Sequence, residues 1–131
     1  IKYNPTMASA AANVGKVEAV KRCVRSGIKI PIDVYTSLAI DGNQEFIEWL
    51  IVNVTQPVFA WNKYICGGAA IGGHVELLRW AINQGFPLED AAVSAYAHDR
   101  EDCIKLIHEL GYICPDYQIK RCHICRAKLN I

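Results

Sequence analysis

Cys122 and Cys125, spaced Cys-x-x-Cys with His123 between them and Cys114 upstream, form the one cluster in this sequence that could bind a metal ion. Zinc favours four thiolate or imidazole ligands. Asp116 is a good N-cap for a final helix from about Tyr117 to Leu129. On such a helix Cys122 and Cys125 share a face, while the adjacent His123 points about 100° away. No second Cys-x-x-Cys exists in the chain. The pair therefore reads as two thiols on the inner face of a capping helix, and neither a metal nor any other cofactor is expected.

Acid–base catalysis needs carboxylates or histidines that converge in a pocket. His74, His98, His108 and His123 are spread along the sequence. The acids Glu18, Glu45, Glu76 and Asp102 each open a helical pattern, where a negative charge offsets the helix dipole. No catalytic residue is assigned, and the chain is not expected to be an enzyme. Lys120, Arg121, Arg126 and Lys128 make the tail locally basic against Asp116 alone. Such a strip can touch phosphate, but it reads as the solvated face of the last helix.

The elements that carry these residues recur. Gly72-Gly73-His74-Val75-Glu76-Leu77-Leu78-Arg79-Trp80-Ala81-Ile82 has weaker copies beginning at Gly15, Gly42 and Asp99. Their aligned acids are about 27, 31 and 26 residues apart, which is a repeat period. Each period holds two helices. The spacing predicts helices over Thr6–Asn13 and Val17–Arg25, Asp33–Ile40 and Gln44–Val52, Asn62–Ile71 and His74–Gln84, then Glu89–His98 and Glu101–Leu110. Alanine and glycine before each turn (Ala11-Ala12, Ala39, Ala69-Ala70, Ala97) let the first helix of each pair approach its neighbours and set the stacking distance. Approximate unit boundaries are 5–31, 32–58, 59–88 and 89–115, with a capping half unit over 116–131, all in one domain, 1–131.

Bulk properties agree with a stack. The 131 residues are 52% hydrophobic and 21% charged, with a mean hydropathy of +0.11. Stacked units cover each other on two sides, which accounts for the apolar excess. A net charge of +1 gives no broad field for nucleic acid or an anionic membrane. No apolar run is long enough to span a bilayer. Four of the six cysteines (Cys23, Cys66, Cys103, Cys122) lie at core-like helical spacing, so they read as reduced thiols in an intracellular protein.

The pattern Ala-Ala-x-x-Gly-His-Val-Glu-Leu-Leu-Arg-Trp-Ala, followed by Gly-Phe-Pro, resembles the ankyrin repeat. It is most similar to the short-period ankyrin repeats of giant and other large DNA viruses. The resemblance runs from about Pro5 to Arg126 and is strongest over residues 68–87. The Thr-Pro-Leu-His tetrapeptide is absent, and the short period leaves little room for projecting hairpin fingers. The resemblance implies an all-α, ankyrin-like α-solenoid of about four helix-turn-helix repeats plus a C-terminal half repeat. It further implies a non-enzymatic protein–protein interaction scaffold that engages a host or viral protein in the host cytoplasm, or in the virion. A structural component of a virus particle or large assembly is the alternative, and a metal- or nucleic-acid-binding protein using the C-terminal cluster is a third. Aromatic residues tend to anchor interfaces. Phe59, Trp61, Tyr64, Phe86, Tyr112 and Tyr117, in or beside the connectors, are the expected partner-binding residues, although some such rings plug gaps between units.

Overall fold

The computed structural model describes residues 2–54, 61–115, 118 and 120–131. Among these the regular structure is helical, without strands. In chain order the helices are α1 (Pro5–Asn13), α2 (Val17–Arg25), α3 (Ile32–Ile40), α4 (Gln44–Asn53), α5 (Asn62–Gly72), α6 (Val75–Asn83), α7 (Glu89–Ala97), α8 (Glu101–Glu109) and α9 (His123–Leu129). The first eight pair as α1 with α2, α3 with α4, α5 with α6 and α7 with α8. The first members also pack on one another in sequence, α1 on α3, α3 on α5 and α5 on α7. On the other layer α6 meets α8, and α9 closes against α8. None of these helices is long and apolar enough to cross a membrane.

One turn recurs between the paired helices. Gly15, Gly42, Gly73 and Asp99 have φ of +73°, +74°, +73° and +53°. Glycine adopts this left-handed conformation without penalty, and aspartate tolerates it better than most residues. It lets the next backbone amide reach back over the helix end. Lys16, Asn43, His74 and Arg100 donate in this way to the carbonyls of Ala11, Leu38, Ala69 and Ala95 at 2.8, 3.0, 2.8 and 2.9 Å. Two of the same residues also tie their unit to the one before. His74 Nε2 donates to the Ile40 carbonyl at 2.7 Å, and Arg100 Nε donates to the Ile71 carbonyl at 2.9 Å. Ser37 Oγ and Asn13 Oδ1, 2.7 Å apart, join α3 to α1.

Close approach between α3 and α5 depends on glycine. A β-carbon on Gly68 would lie 2.6 Å from the Ala39 methyl and 2.8 Å from the Thr36 carbonyl oxygen. One on Gly72 would lie 2.2 Å from the Ile40 carbonyl oxygen. Ala11, Ala12, Ala39, Ala69 and Ala70 are buried as their pattern requires. Ala97 is not. It is exposed, because the turn passes through Asp99 one residue earlier than an alignment on Ala97 assumes; the position of Ala12, Ala39 and Ala70 then falls to Tyr96, with the buried Ala95 one residue before it.

Neighbouring glycines on α5 should respond oppositely to substitution. Gly67 faces Asp90 and Ser94 at an ordinary 3.7 Å. Gly67→Ala is expected to stabilise the protein by up to about 1 kcal/mol through helix propensity. Gly68→Ala should cost about 1–3 kcal/mol, because backbone and a methyl must move. Urea unfolding of both variants checks this, and equal midpoints would contradict the seam.

Candidate functional site

Of the six aromatic residues expected to bind a partner, Phe59 and Tyr117 lie outside the described residues. Trp61 and Phe86 are buried and belong to the core. Trp61, only 1% exposed, stacks on Tyr35 with centroids 4.4 Å apart and planes 3° from parallel. Phe86 meets the edges of Trp61 and Trp80 at 6.1 and 5.9 Å. These rings fill the space between units because each offers a large apolar area that adjoining helices can cover from both sides. Tyr64 and Tyr112 are half-buried. Tyr64 lines a hollow of about 220 Å³ across α3, α5 and α7, with Thr36, Ile71, Asp90 and Val93. A larger groove of about 540 Å³ lies between α2 and α4, lined by Val17, Phe46, Trp49 and Val52. Lys21 Nζ and the Arg25 guanidinium lie 5.3 and 6.0 Å from the Trp49 ring.

A different group of side chains converges at the C-terminal end. His108, Cys114, Cys122 and Cys125 are all buried, and their four ligand-type atoms lie within 4.8 Å of one another. α8 supplies His108, the segment after it supplies Cys114, and the start of α9 supplies the other two. Cys122 is not inside the last helix, as its spacing had suggested, but caps it. Its sulfur accepts from the Cys125 backbone amide at 3.4 Å. A cap residue with extended backbone (φ −92°, ψ 108°) turns its side chain back over the first turn. His123 is exposed beside Glu101, 3.7 Å away, and takes no part in the cluster.

His108 is held in a defined orientation. Its Nδ1 donates to the Tyr112 carbonyl at 2.8 Å, and the carbonyl can only accept. In the neutral ring Nε2 is then the free lone pair. It faces Cys122 Sγ at 3.4 Å and Cys114 Sγ at 3.7 Å. The Tyr96 hydroxyl sits over the same three atoms, 2.7 Å from Nε2, 2.7 Å from Cys122 Sγ and 3.1 Å from Cys114 Sγ. The Cys114 backbone amide donates to Cys125 Sγ at 3.3 Å. Burial pushes the Cys114 thiol up to about 12, with the Tyr96 hydroxyl bond working against it. At Cys122 burial also opposes ionisation, but bonds from Tyr96, the Cys125 amide and the neighbouring thiols outweigh it, and the group falls below its ordinary value. Cys66, in the apolar core, is pushed up to about 12 by burial.

Neither His108 nor Tyr96 stood out as a site residue in the sequence, yet a signal was present in the repeat itself. Counted from the recurring turn, Tyr96 falls where the other units have Ala12, Ala39 and Ala70. His108 falls where they have Val24, Ile51 and Ile82. Both depart from the repeat in its last unit, beside the cysteines.

Comparison of the chain with protein-family models, curated proteins and solved structures finds no match. The other histidines do not converge: His74 is spent on the Ile40 carbonyl, and His98 is exposed.

The Tyr35–Trp61 stack gives a pH-dependent test. Among the described residues the Tyr35 hydroxyl has no hydrogen-bond partner, and burial raises its ionisation to about 12. A raised folded-state value stabilises fully below the unfolded value near 10, and that contribution is lost as pH climbs towards the folded value. Tyr35→Phe should match wild type at pH 7 or exceed it by up to about 1 kcal/mol. From pH 10 to 12 wild type should lose on the order of 2 kcal/mol relative to the variant, read as urea midpoints.

Proposed function

We propose that the chain is a non-enzymatic, ankyrin-like α-solenoid that serves as a protein–protein interaction scaffold. The observation that carries this reading is the serial order of packing, with α1, α3, α5 and α7 forming one row. Each hairpin closes through the same turn, and His74 and Arg100 bind the preceding unit. A row bound in this way is stiff, so a partner docking on it orders little. The docking surface is the hollow across α3, α5 and α7, where Tyr64 is the half-exposed anchor, Val93 is 62% exposed and Asp90 supplies a hydrogen-bond acceptor. It suits a protein segment presenting an apolar side chain beside a donor. By its resemblance to viral repeats, the partner is a host or viral protein. A second reading, as a permanent part of a particle or assembly, draws support from the α2–α4 groove, where Val52 is 82% exposed. Sedimentation separates the two, since an assembly component self-associates at high concentration.

The scaffold reading is tested by capture from native cells, followed by reconstitution with the purified candidate. Tyr64→Ala and Val93→Asp should each weaken reconstituted binding at least about 10-fold, with melting temperature unchanged. Val52→Asp should leave binding intact. Binding lost only in Val52→Asp would move the surface to the other layer. Absence of any protein that binds the purified chain would end the scaffold reading.

A further inference from the structure

We propose that His108, Cys114, Cys122 and Cys125 form a structural zinc site that fastens α9 to the end of the helical array. Zinc sites that only hold structure are closed, with four sulfur or imidazole donors and no open position. This cluster meets that description with three sulfurs and one imidazole, all buried. Metal–ligand bonds of 2.0–2.3 Å put tetrahedral donors about 3.3–3.8 Å apart. His108 Nε2 is 3.4 and 3.7 Å from the sulfurs of Cys122 and Cys114. At the widest separation of 4.8 Å, closing on the ion draws the donors together by about 1 Å.

The surroundings are those of a ligating set. A zinc-bound histidine characteristically gives its other ring N–H to a carbonyl or carboxylate, which sets the tautomer and aims the ring. The Tyr112 carbonyl does this for His108. Backbone amides of Cys114 and Cys125 point at sulfur, where a thiolate accepts more strongly than a thiol. Binding expels the thiol protons to solvent and leaves one net negative charge, the ion's two positive charges against three thiolates. Lys128 answers that charge, since its ammonium bonds the His108 carbonyl. A cleft of about 400 Å³ along Tyr96, Tyr112, Pro115 and Cys114 leads to the donors, and the Tyr96 ring can yield into it as the ion enters. Tetrahedral sulfur–nitrogen sets select zinc over magnesium, calcium or manganese. α9 needs such a fastening. It has seven residues, too few to hold a helix alone, and its fully buried anchors are the two cysteines at its start.

The test uses the full chain, reduced, stripped with chelator and returned to metal-free buffer. Zinc should bind one ion per chain and raise the melting temperature. Cobalt(II) should give the visible bands of a tetrahedral site and a near-ultraviolet sulfur-to-cobalt transition, and zinc should bleach both. Cys122→Ser and His108→Ala should each weaken binding by more than about 100-fold. His123→Ala and Cys66→Ala, outside the cluster, should bind as wild type does, and Tyr96→Phe should keep the tetrahedral spectrum. Should the cluster instead be a metal-free knot organised by the phenol, zinc will leave the melting temperature unchanged and Tyr96→Phe will lower it. That result, a cobalt spectrum without sulfur character, or loss of binding in His123→Ala would overturn the proposal. None of these readouts involves a protein partner, so the inference stands or falls apart from the scaffold reading.

Discussion

The contact between α3 and α5 allows no β-carbon at two places one helical turn apart. At Gly72 the helix runs against the last carbonyl of α3, and at Gly68 against a methyl and a carbonyl in its middle. A seam this close brings backbone near backbone, which puts His74 Nε2 within 2.7 Å of the Ile40 oxygen. It also leaves little room for bulky groups within the row. The large side chains therefore go elsewhere. Tyr35, Trp61 and Phe86 stack in the space between units, and Phe46, Trp49 and Trp80 belong to the second helices. Small residues in the seam and buried aromatic rings beside it are two consequences of one spacing.

At α7 and α8 the residues counted from the turn change character. Three residues before the turn the other units hold alanine, and the fourth holds Tyr96. The ring spans a gap that a methyl leaves open, and its hydroxyl reaches the imidazole and sulfurs beyond. His108 makes the matching change on α8, where the other units carry a branched apolar residue. Repeat stacks require distinct terminal units. In this chain the two departures bring polar groups beside the sulfurs of Cys114 and Cys122, and a short helix with exposed outer residues lies over them.

Periodicity made the helical hairpins readable. The acids in the first turns, the glycines at the turns and the apolar spacing of Val75, Leu77, Leu78 and Ala81 each constrain backbone locally, so α1 to α8 fall within a residue or so of expectation. Where neighbours decide the outcome, the same reading fails. Trp61 and Phe86 sit beside connectors in sequence, which suggests exposure, but the adjoining units close over both. Residue type alone puts Ala97 in line with Ala39 and Ala70, whereas the left-handed turn at Asp99 sets the register one residue earlier. A last helix capped by Asp116, which lies outside the described residues, would run through Cys122, whereas Cys122 is itself the cap of α9. Once Cys122 is the cap, the geometry that turned His123 aside no longer describes the pair, and the sulfurs are free to meet donors from other segments.

The fourth donor shows why sequence spacing alone misleads at this end of the molecule. Sulfur and nitrogen ligands are commonly sought close together, and His123, between the two cysteines, satisfies that habit. Adjacent residues diverge in direction, however, so an intervening histidine seldom serves the same ion as its neighbours. His108 lies fourteen residues before Cys122, and its ring still comes to 3.4 Å of that sulfur. It does so because α8, packed on α6 and α7, also carries α9 against it. α8 thus carries an oriented imidazole, and the residues after it bring three buried thiols to the same point. A polar group buried there is costly unless something completes its bonding, so the same preorganisation that makes His108 a good ligand also makes the tail's return to it favourable.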